Sequence, residues 1–486
     1  MKKNFPLFLI LLFSFSCQSG PKIVEDMPEA PIKAGPPVME TPPENGQTVE
    51  DAQGQPEDVG PNKDLSSLRA LENSAISGDY AAALVEFENL TEEERSGEET
   101  ALLYSSLLIS AGEFGEAEAE LNKLREKDPD NTEALFNLAI IEGINGDMSG
   151  QLGLLKEIIE KEPDNSMAQA AIGDIYLATR RYKQAQNYFQ AGLDADPDNS
   201  YALLGMGRTL LVDGNPEGAL VYLNEAMERS EDDALIFASR AKAKTELGDY
   251  QGAEKDYTKA IDLMPDFYWF YMDRGILRQL MTSDTQSALD DFDKAIELNP
   301  DYFWAYLHRA QVLDLLDKYT EAISDYEKVL EYKDDYYYAY VPMAILYFFV
   351  EEWDKSSYLF QKAYEIEEDP GFALMAGLCG LRGNNPANAK TYISNFIARQ
   401  DRDLGFYHVG RAFIENGYDN YALHVISRLS DKTEMSRCLF YMAEYYQDKR
   451  SDNLALTYFE EVVEKGIFSI FEYRLTEFEL NKKEEL

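Results

Sequence analysis

Cysteine, histidine and clustered positive charge are all scarce in this chain, and each scarcity removes a class of function. The three cysteines, Cys17, Cys379 and Cys438, form no closely spaced pairs, so the fold does not rest on disulfides. Cys379 and Cys438 read as small core residues. The three histidines, His308, His408 and His424, are scattered, and no H-E-x-x-H, Cys/His metal spacing, G-x-S-x-G elbow or phosphate-binding glycine loop accompanies them. Each reads as a surface or groove residue, and the chain as non-enzymatic, with no cofactor or metal. Lys and Arg number 45 against 89 Asp and Glu, a formal net charge of −44, and no cluster of cations is present to neutralise phosphates. Nucleic acid and anionic lipid are therefore poor partners. Long apolar runs are lacking as well: "MAILYFFV" at 343–350 is too short to cross a bilayer and leads into "EEWDK".

What is present begins with an address. "MKK" is followed by the apolar "FPLFLILLFSFS" and then at once by Cys17. Residues 1–16 thus read as a signal peptide resembling that of bacterial lipoproteins, with Cys17 as the lipidated residue. Ser14 stands where such signals usually carry Leu, and Ser14 with Ser16 would also suit an ordinary cleavage site that leaves Cys17 without lipid. After the cysteine, residues 18–63 hold 9 of the 19 prolines and no aromatic residue. That composition predicts a disordered tether, about 35–40 Å end to end as a flexible chain.

From residue 64 the chain repeats. Ala83, Ala117, Ala185, Ala219, Ala253, Ala288, Ala322, Ala389, Ala422 and Ala455 fall on one grid of about 34 residues, with Gln151 and Ser356 in its two gaps. Four residues after each comes a bulky apolar side chain, among them Phe87, Leu121, Phe189, Phe292, Tyr326 and Phe459. A second grid, usually twelve residues earlier, is also small: Gly173, Gly207, Ala241, Gly275, Ala310, Ala344, Gly377, Gly410 and Ala443. The i, i+4, i+7 spacing around both predicts two amphipathic helices per repeat, with small residues letting the backbones approach. "DPDN", "EPDN", "MPDF" and "NPDY" punctuate the repeats, proline ending one and Asp capping the next; "LGDY" marks the turn inside a repeat.

In "IGDIYLATRRYKQAQNYFQAGLDADP", residues 172–197, the residues Gly173, Tyr176, Ala185, Phe189 and Pro197 resemble the motif of the tetratricopeptide repeat family. The resemblance covers about 64–470 in roughly twelve repeats. It implies an all-α fold, a right-handed superhelical solenoid of antiparallel helix pairs whose first helices line a concave groove. Residues 471–486 are polar and read as a capping helix.

Two constellations stand out against this grid. Arg240, Arg274 and Arg309 precede the small position in repeats that also carry Asp256, Asp291 and Asp325, which predicts a salt bridge inside each repeat rather than an anion site. The runs "PDFYWFYMDRG", "PDYFWAYLHRA" and "DDYYYAYVPMA" give repeats 7 to 9 a second apolar stripe: Trp269, Met272, Ile276 and Leu280; Trp304, Leu307 and Leu315; Tyr338, Val341, Ile345, Phe348 and Phe349. A helix apolar on two faces is either buried twice or exposes a surface. The resemblance points this stripe into the groove, as anchors for an apolar or basic partner; packing between repeats is the competing explanation. Pro342 predicts a late or kinked helix in repeat 9. The expectation is a lipid-anchored protein or peptide scaffold of the bacterial envelope, with the membrane touched only through the N-terminal lipid. A binding protein for a small apolar ligand or lipid chain, serving a transporter, is the alternative.

Overall fold

The computed structural model describes residues 71, 74–75, 79–91, 95, 97–281 and 285–484. The expected signal peptide, Cys17 and the tether lie outside them. Every regular element among the described residues is helical, and the chain divides into two compact units, one ending at Leu263 and the other starting at Met264.

In the first unit, α1 (Tyr80–Glu88) is followed by five helix pairs: α2 (Glu98–Ala111) and α3 (Phe114–Lys127), α4 (Thr132–Ile144) and α5 (Met148–Lys161), α6 (Ser166–Ala178) and α7 (Tyr182–Ala195), α8 (Ser200–Val212) and α9 (Pro216–Arg229), α10 (Ala234–Glu246) and α11 (Tyr250–Leu263). The second unit continues with α12 (Tyr268–Met281) and α13 (Thr285–Leu298), α14 (Phe303–Leu315) and α15 (Tyr319–Tyr332), α16 (Tyr340–Phe349) and α17 (Trp353–Ile366), α18 (Pro370–Arg382) and α19 (Pro386–Ile397), α20 (Gly405–Ile414) and α21 (Asp419–Ile426), α22 (Lys432–Asp448) and α23 (Asp452–Lys465), and ends with α24 (Phe471–Glu484).

The grid explains the pairing. Each position from Ala83 to Ala455 falls on the second helix of its repeat, and the bulky residue four places on is buried in all of them. The small residue of the first helix faces that bulky side chain: a Cβ on Gly275 would sit 2.7 Å from the Phe292 ring. Close approach therefore demands glycine or alanine there, and the ring fills the volume the missing side chain leaves. Five residues before the grid, the turn between paired helices needs a left-handed residue. Gly112, Gly146, Gly214, Gly248 and Gly417 supply it, while Arg180, Asp317, Glu351 and Arg450 adopt φ of 57–61° without being glycine.

The caps correct one detail. In the "PDN" turns the capping side chain is Asn, not Asp: Asn131, Asn165 and Asn199 accept from the amides of Ala134, Ala168 and Ala202. At the same place repeats 7, 8 and 9 carry Phe267, Tyr302 and Tyr336, and neither tyrosine caps its helix through its side chain. Pro342 has the effect its fixed φ predicts: Tyr337–Ala339 form a single 3-10 turn, and α16 starts only at Tyr340.

Candidate functional site

The Arg–Asp pairs form inside their repeats. Arg240 donates to both carboxylate oxygens of Asp256 at 2.8 Å, Arg274 to Asp291 at 2.7 and 3.1 Å, and Arg309 to Asp325 at 2.7 Å twice. All three carboxylates are buried. Burial pushes the Asp291 and Asp325 carboxyls up, against the pull of their arginines. The sequence pattern missed the second cation: Lys244 also reaches Asp256 at 2.7 Å, and Arg278 reaches Asp291 at 2.8 Å. Both stand four residues after the first Arg, a spacing that puts them on the same helix face.

The aromatic stripe is a correction. Trp269 is 6% exposed and Trp304 3%, and Met272, Leu307, Ile345, Phe348 and Phe349 are also buried; Ile276, Tyr338 and Val341 are half-buried. The covering residues are the aromatic ones that replaced the capping Asn. Tyr302, at the start of repeat 8, lies 5.3 Å from the Trp269 ring and 5.1 Å from Tyr268 of repeat 7. Tyr336, at the start of repeat 9, repeats this with Trp304 at 5.9 Å and Phe303 at 6.1 Å. Each tryptophan is thus roofed by the next repeat, so these rings tie consecutive repeats together and do not present a groove of open anchors. Leu280 and Leu315, at equivalent ends of α12 and α14, remain 41% and 45% exposed.

What covers Phe349 comes from much farther along the chain. Phe478 of α24 stacks on it with centroids 4.1 Å apart and also meets Tyr319. Arg474 of α24 pairs with buried Asp314 of α14 and lies over the Phe349 ring at 5.1 Å. Lys482 reaches Glu351 at 2.5 Å. Arg474, Phe478 and Lys482 are four residues apart, one stripe of one helix. The opposite side of α24 is deeper: Glu472, Tyr473, Leu475, Thr476 and Glu479 are buried, with Glu472 accepting from Arg437 at 2.8 Å and from Tyr441 at 2.9 Å. Gln447 of α22 donates to Glu479 at 2.7 Å. The expected capping helix is therefore also a clasp, packed on α22 and α23 and reaching back to repeats 8 and 9. Arg382 of α18 adds a second tie, 2.6 Å from Glu444 and 2.8 Å from Asp448 of α22.

The reactive side chains are withdrawn into packing. His308 is half-buried, its ring 5.6 Å from that of Phe292 and its Nδ1 3.3 Å from the Gln279 amide oxygen, and desolvation lowers its pKa to about 4. His408 is buried, its Nε2 donating to the Arg402 carbonyl and its Nδ1 accepting from the Tyr418 hydroxyl, both at 2.8 Å. His424 is exposed, and of the three only His408 is buried against the expected surface or groove placement. Cys379 and Cys438 are free and buried. Among the described residues no group of three or more His, Cys, Asp or Glu is arranged to hold a metal ion.

Family models described as tetratricopeptide repeat match residues 75–139, 176–243, 236–267 and 292–324. No curated protein matches the sequence. Among solved structures, MamA is 23% identical, covering 34% of this chain and 95% of its own, with a TM-score of 0.31. The pilF protein of Pseudomonas aeruginosa is 17% identical, covering 44% and 96%, at 0.39. YrrB, described as a TPR protein with an unusual peptide-binding site, is 22% identical, covering 38% and 95%, at 0.30. The likeness to these structures is one of fold alone. The family models fall on the small-residue grid and on the paired helices it produces: the chain carries tetratricopeptide repeats over residues 75–139, 176–267 and 292–324.

Proposed function

We propose that the protein is a non-enzymatic scaffold that holds other proteins or peptides at the bacterial envelope, attached there by a lipid on Cys17 and set off from the membrane by residues 18–63. The observation that carries the binding role is that repeats 8 and 9 already hold an α-helix, α24, through a stacked ring and two ion pairs. A surface that seats one helix has the chemistry to seat another. The strongly acidic chain steers basic partners toward it and disfavours acidic ones. The alternative reading, a carrier for a small apolar molecule or lipid chain, needs the aromatic stripe open, and its rings are packed between repeats.

Two measurements test this. Crosslinked capture from the native envelope should recover defined partners with the wild-type chain and lose them with Leu280→Glu and Leu315→Glu, exposed positions whose substitution leaves the melting temperature unchanged; undiminished capture would place the binding surface elsewhere. Fatty-acid labelling should vanish in Cys17→Ala, and labelling that persists would remove the proposed anchor.

A further inference from the structure

Asp314 is out of place in a repeat stack. Repeat proteins satisfy their charges through near neighbours, as Arg309 and Asp325 do, yet this buried carboxylate obtains its cation from Arg474, 160 residues away. Asp317 stands close by and adds like charge. Phe349, in the next repeat, is covered by Tyr319 of repeat 8 at 5.0 Å and, from outside the neighbouring repeats, by Phe478. Glu351, on the turn that follows, holds a left-handed conformation normally given to glycine and takes Lys482. Repeats 8 and 9 thus form an acid–ring–acid seat that is complete only when a helix delivers a cation, a ring and a second cation at intervals of four residues.

Helix α24 is joined to its two sides by different chemistry. Toward α22 and α23 it is buried through Tyr473, Leu475 and Thr476. Toward repeats 8 and 9 it makes the Arg474–Asp314 pair, the Phe478–Phe349 stack, a contact of the Phe471 ring 5.9 Å from that of buried Phe360, and the Lys482–Glu351 pair, whose two members are about half exposed. Polar atoms are left unmatched on the inner side: Glu472 Oε2, Gln447 Oε1, Glu444 Oε1 and Lys483 Nζ are buried with no hydrogen-bond partner. Unmet buried polar groups weaken a docking that apolar residues would have made tight.

We propose that Asp314, Phe349 and Glu351 form a binding seat for a helix of a partner protein bearing an R-x-x-x-F-x-x-x-K stripe, and that α24 occupies this seat in the same chain until such a helix replaces it. The inference rests on the scaffold reading for its biological role. The seat itself is tested without it, because the probe is a peptide and needs no envelope partner.

The probe is a fluorescein-labelled synthetic peptide of residues 469–486. The receptor is the full chain carrying Arg474→Ala, Phe478→Ala and Lys482→Ala, which strips the seat-facing stripe and leaves Tyr473, Leu475 and Thr476 in place. Removing the side chains that fill the seat should tighten peptide binding roughly tenfold relative to wild type, because apparent affinity scales with the fraction of molecules whose seat is free. Asp314→Lys added to that receptor should abolish binding, as should a peptide with alanine at the three stripe positions. If the emptied chain keeps the wild-type melting temperature and gains no affinity, the proposal is overturned. Should the triple variant melt early, the wild-type chain titrated with excess peptide decides: saturable binding that Asp314→Lys removes supports the seat, and none overturns it. A dimer of the wild-type chain that the three alanines dissolve would assign the seat to α24 of a second copy and overturn the partner-protein occupant.

Discussion

At the scale of single residues, co-occurrence carried more information than residue type. Arg240, Arg274 and Arg309 were legible as internal partners of Asp256, Asp291 and Asp325 because the pairs appear in the same repeats and nowhere else in the well-matched stretch. Arg309→Ala should destabilise the protein by about 3 kcal/mol, since it leaves Asp325 buried with its charge unmet. Arg309→Met together with Asp325→Leu should recover most of that, within about 1 kcal/mol of wild type, because both buried charges are gone. A double-mutant cycle by urea denaturation measures both. The tryptophans were misread for a definable reason. Their positions follow the inner face of the family fold, and what hides them is the residue before the next first helix, where Asn gives way to Tyr302 and Tyr336. That exchange is visible in the sequence at the repeat spacing, so the signal existed. Trp269→Ala and Trp304→Ala should each cost about 3–5 kcal/mol, seen as a large fall in the midpoint of thermal unfolding rather than as lost binding in an intact fold.

At the scale of elements, the helix pairs were readable because a small residue and a bulky one recur at fixed spacing, and steric demand writes that into sequence. Helix α24 was only half readable. Its helical character follows from composition, but its burial does not: no apolar face marks it, and its contacts depend on Arg437 and Asp314, which belong to other repeats. The consequence is a pH dependence. Complete burial raises the Glu444 pKa to about 8 from an ordinary 4.5; Arg382 opposes this, while Glu479 and Asp448 reinforce it. The Arg382 contact alone would keep Glu444 ionised, but loss of solvent and two neighbouring carboxylates outweigh it. Between about pH 4.5 and 8 the folded state therefore binds a proton that the unfolded chain has released, so unfolding becomes easier as pH rises through that window. The C-terminal unit should melt at lower temperature at pH 8 than at pH 5, and Glu444→Gln should flatten that slope. Burial shifts the carboxyls of Glu472, Asp314 and Asp291 in the same direction, so the slope diminishes without vanishing.

At the scale of the whole chain, the count of negative charge matters more than any pair. With a formal net charge of −44, self-repulsion opposes the folded state. Raising sodium chloride from 10 to about 150 mM shortens the screening length from about 30 Å to about 8 Å, so thermal stability should rise over that range, as differential scanning calorimetry would show. A fall would mean that exposed ion pairs such as Arg229 with Asp198 outweigh the repulsion. The architecture itself was open to reading from sequence, because a stack of repeats depends on local spacing. The clasp was not, because it joins residues more than a hundred positions apart.

The two sequestered thiols give the molecule a property of its own. Burial pushes Cys379 up to about 12 and Cys438 well above its ordinary range, so neither is a thiolate at neutral pH while its helices are closed. Cys379 lies on α18 and Cys438 on α22, the two helices that Arg382 ties together. Each can be alkylated or oxidised only in the moments when its surroundings breathe. An unmodified chain therefore carries two native clocks, one on each side of that tie, and the ratio of their labelling rates reports which side opens first.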